Sequence, residues 1–506
     1  MNLFALPTTI PWLSLIWLSL LVPAVVLMFV PPEQRQTIRI IGTAGALVSL
    51  ILTALVYGAY DSSSAVKLQF IEELPWVPQI GINYTLGVDG ISLPLLLLNG
   101  IVIVASALVS WNIEERAREY WALLLLAAAG AYGVFMSVDL FLLFIFYELT
   151  LIPKFLLIGG WGKTRREYGA TKLALYMMGG SALITASIVA IYFGSGLRTF
   201  DMRVLQQAAL FPRAFQLIWF APLFAGFAVL AGMVPFHTWA PTGHTAAPTA
   251  ISMLLAGVMM KLGSYGCLRV GMTLLPEGAL TWLLPIALLT LVGAVYGSLI
   301  AAAQRDFKFM IAYSSISHMA LVLMGLAAGN AIGIQGAVLQ MFAHGVMTAL
   351  LFAVVGRMVY DRTHTRDLRE LGGLFGVMPF VAVMFIIGGL SSMGMPGFAG
   401  FFAEFNVFIG MWQRFPLVAI IGALAIPITA AYTLRAMLSA FFGALKNQSF
   451  HHLPKLTVQE YIVGAFLAAI LIISGIYPAY LTAPIQSGVQ PVAEALLRAM
   501  IVAVTR

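Results

Sequence analysis

Apolar runs of about 20 residues or more recur along almost the whole chain, with short polar connections between them. Only 9% of its 506 residues are charged, whereas an ordinary soluble domain carries about 25%. Alternating segments of about ten residues, which form transmembrane barrels, are not evident. The sequence therefore predicts an all-α polytopic membrane protein, with a single integral membrane domain over residues 1–506 and no soluble domain.

About fourteen spans can be counted from these runs. Their approximate centres are Leu20, Ala46, Ile101, Ala127, Phe146, Ala182, Phe224, Ala256, Leu291, Leu321, Leu350, Phe385, Ile426 and Ala468. The stretch Met1–Val30 lacks a basic region, so we expect it to remain as the first span rather than to be cleaved as a signal. Residues 485–506, around Val489–Val504, are predicted to form an amphipathic tail along a membrane surface.

Basic residues are concentrated in nearly every second connection, and the connections between these are mainly acidic. The basic group comprises Arg35, Arg39, Arg116, Arg118, Lys163, Arg165, Arg166, Arg305, Lys308, Arg357, Arg362, Arg366, Arg369, Lys446 and Lys455. The acidic group comprises Asp61, Glu72, Glu73, Asp139 and Glu277. The positive-inside rule then places both termini outside, in a multi-pass protein of the inner (plasma) membrane. The net charge of +7 therefore reflects topology and does not indicate a nucleic-acid partner.

The stretch Phe227–Leu268 begins and ends as a lipid-compatible run but is broken in the middle. Its interruptions are Gly232, Pro235, Pro241, Gly243 and Pro248. Prolines remove backbone donors, so the freed groups need partners other than hydrocarbon, inside protein or beside a watery cavity. The apolar part that follows contains Lys261, where a charge costs about 2.5–3.5 kcal/mol on insertion scales. This cost indicates that Lys261 has a function.

Glu148 lies in the middle of the fifth span, with Lys154 six residues further on, just after Pro153. Six residues turn a helix by about 240° and advance it by about 9 Å, so the two side chains do not share a face. Glu148 is either a neutral, hydrogen-bonded carboxyl or a proton carrier whose pKa depends on the nearest cation.

Lys172, His237 and His244 lie near the ends or breaks of spans. Lys172 is either a relay residue or a side chain that reaches the nearby basic surface. The two histidines are either proton carriers or partners for backbone groups released by the prolines. Neither has a cysteine or carboxylate at ligand spacing, and the single Cys267 excludes internal disulfides and argues against a thiolate metal cluster.

His318 and His344 lie inside two consecutive spans, and Glu404 follows a break in the twelfth. Hydroxyl residues make the histidine-bearing spans polar along one stripe, namely Ser314, Ser315, Ser317 and Thr348. Such a stripe can hold ordered water, and water together with histidine can pass protons. The alternatives are core histidines with one satisfied nitrogen and, for Glu404, a buried neutral carboxyl.

The seventh and twelfth spans both contain proline-rich interruptions, the second at Gly394–Gly397. Paired broken helices in two halves are typical of inverted-repeat transporters, which predicts repeats over about 115–270 and about 275–445. Along the sequence, lysine alternates with carboxylate and histidine, and such groups couple strongly in a low dielectric. This order indicates a chain of proton switches, although a pocket for a large organic solute is not excluded by sequence alone.

Seven motifs in this order resemble the antiporter-like membrane subunits of respiratory complex I, most closely the M-type chain (subunit 4) of NADH-quinone oxidoreductase. They are LGVDGISLPL, IPKFLLIGGWG, TKLALY, VPFHTWAPTGHTAAPT, LAGVMMKLGSYG, DFKFMIAYSSISHM and MPGFAGFFAEF. The resemblance covers nearly the whole chain. It implies fourteen helices, two inverted five-helix units with a discontinuous helix in each, and a central Lys, Glu and His axis.

The same resemblance implies roles for individual residues. Glu148, Lys261 and Glu404 match the proton-channel residues of the family. Others are expected on or near the same axis, namely Lys172, His237, His318 and His344. It also implies no cofactor in this chain, with NADH, FMN, iron–sulfur clusters and quinone in partner subunits. The partners expected are other membrane subunits, including neighbouring antiporter-like ones, together with the lipid bilayer.

One position departs from the family pattern. The seventh span of the family usually carries a lysine that pairs with the fifth-span glutamate, and here that position is Leu230. Lys154 stands where the family more often has an uncharged residue, so we predict that it replaces the missing cation beside Glu148. The run PTGH also lacks the acid that the family usually has there.

The function predicted is that of a proton-translocating subunit driven by redox chemistry in other subunits. One alternative is a subunit of a multisubunit monovalent cation/proton antiporter, which uses similar spans. Another, suggested by Leu230, is a paralogous subunit kept mainly as a scaffold of a variant complex.

Overall fold

The computed structural model describes residues 6–7, 9–208 and 211–505. In this part of the chain, 12 helices are long and apolar enough to cross a membrane, and two shorter apolar helices add to them. Because these account for the spans counted from the sequence, the predicted all-α polytopic fold is confirmed.

The helices follow one another with few interruptions. They are α1 (Trp12–Leu27), α2 (Arg35–Ala59), α3 (Ser92–Val109), α4 (Ala117–Met136), α5 (Leu140–Trp161), α6 (Arg166–Ser195), α7 (Met202–Ala208), α8 (Arg213–Ala231), α9 (Trp239–Ala246), α10 (Thr249–Leu254), α11 (Met260–Gly266), α12 (Pro276–Ala303), α13 (Phe307–Ala327), α14 (Ala331–Phe352), α15 (Tyr360–Thr363), α16 (Leu374–Val377), α17 (Pro379–Ser392), α18 (Ala399–Arg414), α19 (Pro416–Gly422), α20 (Ala425–Phe441), α21 (Val458–Ile476) and α22 (Ala479–Thr505). Turns of π-helix over Leu255–Met259, Cys267–Met272 and Ala353–Val359 continue α10, α11 and α14.

Ion pairs join the basic connections to one another on one face of the bundle, here called the basic face. Arg35 lies 2.8 Å from Glu114, and Lys163 lies 3.0 Å from Asp361. The other connections meet on the opposite face, where Arg203 pairs with a strand glutamate at 2.9 Å. The alternation of charge in the sequence therefore corresponds to two faces of the fold. Which face is cytoplasmic stays a prediction.

A two-stranded antiparallel sheet on the opposite face was not predicted from the sequence. Its strands are β1 (Gln69–Val77) and β2 (Ile82–Val88). The turn between them needs Gly81, whose φ is +71° and whose Cβ would stand 2.0 Å from the Arg198 carbonyl oxygen. Glu72 of β1 accepts hydrogen bonds from the Leu13 amide at 2.6 Å and from the next amide at 3.0 Å. The hairpin thus caps the first turn of α1.

Two pairs of aspartates repeat one local geometry in the two halves of the chain. Asp139 caps the start of α5 and Asp306 caps the start of α13, and each carboxylate accepts two amide hydrogen bonds from the first turn, at 2.8 to 3.0 Å. Each is bridged to a second aspartate, Asp201 or Asp367. The carboxylate of that second aspartate accepts hydrogen bonds from the guanidinium of the arginine two residues later. The shortest nitrogen-to-oxygen distance is 2.5 Å in both halves.

The helix breaks repeat as well. Gly232 ends α8 with φ +79°, and Gly394 follows α17 with φ +65°. At each break, the glycine N–H donates to the carbonyl oxygen of the residue three positions earlier. The N–H of the residue after the glycine donates to the carbonyl oxygen five positions before that residue, and all of these distances are 3.0 to 3.2 Å. This is the Schellman arrangement, which a glycine makes possible. These paired geometries support two related halves, while the repeat boundaries at 115–270 and 275–445 stay a prediction.

The carboxyl-terminal helix is longer than predicted, because it begins at Ala479 rather than near residue 485. Its buried side chains recur every three or four residues, as expected for one face of a helix packed on the bundle. They are Leu481, Ile485, Val489, Val492 and Leu496. Prolines inside α22 weaken the helical signal in the sequence, whereas this packing stabilises the helix.

We expect Glu460→Gln to destabilise the protein by about 3–5 kcal/mol, because it removes a buried carboxylate shared by two arginines. Of these, Arg357 keeps Asp361 at 2.9 Å, whereas Arg362 has no other carboxylate within 4 Å among the described residues. The Glu460 side chain is 1% exposed and lies 2.8 Å from Arg357 and 2.6 Å from Arg362. The matched control is Glu494→Gln, because Glu494 is 48% exposed and lies 3.7 Å from Arg498, and such a surface pair contributes about 0–1 kcal/mol. Thermal unfolding in detergent measures both, and equal shifts would contradict the prediction.

Candidate functional site

Lys261, on α11, is buried with 0% of its surface exposed. Its Nζ lies 2.6 Å from Nδ1 of His344 on α14 and also donates to the Ala256 carbonyl oxygen. A cation that is removed from water needs such partners, because an isolated buried ammonium is strongly disfavoured. Lys261 and His344 are therefore joined directly.

The contact continues from His344 to Glu404. The rings of His344 and His318 are 5.5 Å apart, and Nδ1 of His318 lies 3.3 Å from Oε1 of Glu404. The Nε2 amide of Gln340 lies 3.3 Å from both His318 and Glu404. On its other side, His318 Nε2 lies 3.2 Å from the Ser392 hydroxyl. We call Lys261, His344, His318 and Glu404 the central row.

Local backbone features place the members of the central row. The π-turn Leu255–Met259 ends just before α11, and π-turns are frequent at functional sites. Gly257 and Gly345 let the helices of Lys261 and His344 approach, because a Cβ on Gly345 would stand 2.6 Å from the Gly257 carbonyl oxygen. The break after α17 brings Gly394 close to Glu404, and a Cβ on this glycine would stand 2.6 Å from Oε2.

Two further buried groups lie between the central row and the basic face. Lys308 was counted from the sequence as a charge in a connection, and this is wrong, because it is buried in the first turn of α13 and donates to the Ala247 carbonyl oxygen at 2.7 Å. His244 is fully buried with no partner on either ring nitrogen. It lies within electrostatic reach of both Lys308 and Lys261. In the sequence, only the position of Lys308 just inside a span indicated that its side chain is buried.

Glu148 and Lys154 form a separate cluster on α5. Glu148 is half-buried and accepts a hydrogen bond from the Ser181 hydroxyl on α6. Lys154 is 2% exposed, and it interacts electrostatically with Glu148 without an ion pair within 4 Å in the described part of the chain. Leu230 is buried at the end of α8. These positions are compatible with the predicted replacement of the missing lysine.

Lys172 and His237 form a second pair near the break after α8. Lys172 is half-buried on α6, with Nζ 5.6 Å from the Tyr168 ring, and it interacts electrostatically with His237. His237 is buried and packs edge-on against Tyr296 at 5.3 Å. Among the described residues, hydrogen bonds join neither this pair nor Glu148 to Lys261. The predicted axis is thus continuous by contact only along the central row.

The described residues contain no group of three or more His, Cys, Asp or Glu side chains that could hold a metal ion. The central row can store protons and pass them within each of its two pairs, because Lys261 and His344 lie 2.6 Å apart and His318 and Glu404 lie 3.3 Å apart. The two imidazole ring centres, which connect the pairs, are 5.5 Å apart.

Comparisons with known proteins show the family to which the chain is similar. Residues 137–430 match the family described as NADH:quinone oxidoreductase/Mrp antiporter, transmembrane. An NAD(P)H-quinone oxidoreductase chain 4 from Microcystis aeruginosa is 38% identical, over 87% of this chain and 80% of its own length. The NADH-quinone oxidoreductase subunit M of Rhodobacter capsulatus is 36% identical over 89% of each chain. A chain of respiratory complex I from Thermus thermophilus, solved with bound NADH, is similar with a TM-score of 0.85 and 26% identity, over 96% of this chain and 99% of its own.

Proposed function

This chain belongs to the NADH:quinone oxidoreductase/Mrp antiporter transmembrane family, and from that premise we propose that it translocates protons as a membrane subunit of an NADH-quinone oxidoreductase. Relatives that align over most of both chains are subunits of such enzymes. The observation that carries the proposal is the central row, because it joins a fully buried lysine to a buried glutamate through two histidines.

The spacing of the row makes its protonation states interdependent. Two charged imidazoles 5.5 Å apart would repel by about 3 kcal/mol at an effective dielectric of about 20, so one proton at a time is favoured on His344 and His318. A proton that moves from Lys261 to His344 thus promotes release from His318 toward Glu404. Each arrival therefore displaces the next proton along the row.

Lys308 and His244 extend this route toward the basic face, and Glu404 lies on the half-helix that leads to the opposite face. The proposed direction is from the basic face to the opposite one, across the inner membrane with both termini outside. Lys154 supplies the positive charge that acts on Glu148 in place of a lysine at Leu230. Lys172 and His237 act beside the α8 break.

The driving force comes from partner subunits, which hold NADH, FMN, iron–sulfur clusters and quinone. Neighbouring membrane subunits transmit the redox change to this chain as changes in charge and hydration. The chain by itself performs no redox step in this proposal.

Lys261→Met in the assembled complex tests the function. We expect redox-driven proton uptake into liposomes to fall at least tenfold, because the variant removes the cation at the centre of the row. Lys446→Met, which changes an exposed lysine on the basic face, serves as the control and should pump normally. Unchanged pumping with Lys261→Met would favour the scaffold alternative, and cation/proton exchange by a complex without flavin and iron–sulfur subunits would favour the antiporter alternative.

A further inference from the structure

A groove of about 630 Å³ opens between α1, α4 and α5, near the basic face. Its walls are mainly apolar and include Leu21, Val25, Met28, Leu123, Phe155 and Leu156, with the charged side chains of Arg116 and Glu119 beside them. The volume lies within the range of about 300–1,000 Å³ that is common for ligand pockets. In a membrane-spanning chain, an open apolar groove at this depth faces acyl chains.

The chain leaves this space open in two ways. Helix α1 has 16 residues and ends at Leu27, so it is about 24 Å long and shorter than the hydrocarbon core of about 30 Å. On α5 the wall is formed by Gly159 and Gly160, and a Cβ on Gly160 would meet no atom within 4 Å. A larger side chain at residue 160 would therefore fill the groove without displacing the fold.

A cation lies at the end of the groove on the basic face. Arg116, which precedes α4, places its guanidinium 4.9 Å from the centre of the Trp161 ring. Within the described residues, no carboxylate lies within 4 Å of the Arg116 guanidinium, and the nearby Glu119 pairs with Arg118 at 3.5 Å. Guanidinium groups bind phosphate in a fork geometry, and tryptophan is enriched at the headgroup level of membranes.

We propose that this groove binds one phospholipid from the leaflet at the basic face. Its phosphate contacts Arg116 beside Trp161, and one acyl chain lies along α1 and α5 over the two glycines. A phospholipid combines in one molecule the anion and the apolar chain that the groove accepts. A quinone tail lacks the anion. This site is independent of the proton route and goes beyond the proposed function.

The test uses the assembled complex in nanodiscs that contain phosphatidylglycerol with a photoreactive acyl chain. The yield of lipid cross-linked to peptides of α1 and α5 is measured by mass spectrometry. We expect Gly160→Phe and Arg116→Gln each to lower this yield at least fivefold. Gly179→Phe is the matched control for the first, because a Cβ on Gly179 also meets nothing within 4 Å. Arg165→Gln is the control for the second, because Arg165 also precedes a helix with positive φ.

Each remaining outcome contradicts the proposal. An equal yield in all variants shows that lipid contacts the groove without a specific site. Lipid cross-links on a neighbouring subunit and none on α1 and α5 show that protein covers the groove. Should Gly160→Phe fail to assemble, Arg116→Gln decides alone, since its side chain is exposed and packs in no core.

Discussion

Glu404→Gln is expected to lower redox-driven proton translocation at least tenfold while the complex stays assembled. The carboxylate lies 3.3 Å from His318, and when that imidazole carries a proton the two opposite charges attract by about 5 kcal/mol at an effective dielectric of about 20. Glutamine keeps the shape and an acceptor for Gln340 but removes this attraction. Since about 1.4 kcal/mol corresponds to a factor of ten, loss of part of the attraction is sufficient.

The measurement is the initial rate of proton uptake by liposomes that contain the complex, recorded together with the rate of donor oxidation. Glu277→Gln is the control, because Glu277 is a half-buried glutamate in the first turn of α12 on the opposite face. Normal pumping by both variants would show that the carboxylate of Glu404 is not required. Loss of pumping by both would indicate a general effect of removing an acid.

The members of the central row could be identified from the sequence because hydrocarbon penalises every ionisable group. Lys261, His318, His344 and Glu404 each interrupt an apolar span, and a protein gathers such groups where they satisfy one another. Their order in space, with two histidines between the lysine and the glutamate, could not be read from the sequence. It depends on how closely α14 approaches α11, which is a property of packing.

The features that were missed depend on contacts between distant parts of the chain. Lys308 resembles a loop cation in sequence, and only its contact with Ala247 places it inside the protein. The β1 and β2 hairpin contains Pro75 and exposed apolar side chains, and it is held by pairing and by the contact of Glu72 with α1. Sequence periodicity contains neither kind of information.

Lys154→Leu is expected to reduce proton translocation at least tenfold, as a second large effect. Lys154 is buried and acts electrostatically on Glu148, and leucine removes the charge at similar volume. The control is Lys163→Leu, because Lys163 is largely exposed, with 57% of its side chain accessible, and forms a surface pair with Asp361. Its loss should change pumping little, since such pairs contribute about 0–1 kcal/mol.

The decisive variant combines Lys154→Leu with Leu230→Lys. Residue 230 follows Val229, which lies beside the part of α6 that contacts Glu148 of α5: a Cβ on Gly180 would stand 3.3 Å from the Cβ of Val229, and the next α6 residue, Ser181, donates to Glu148. A lysine at position 230 can thus supply the missing charge from α8. We expect the double variant to recover at least half of the rate lost in Lys154→Leu. The contrary outcome is a double variant that stays inactive although Leu230→Lys alone is active. The charge of Lys154 would then have a role other than partner of Glu148, and the hypothesis that Lys154 replaces the lysine missing at Leu230 would be wrong.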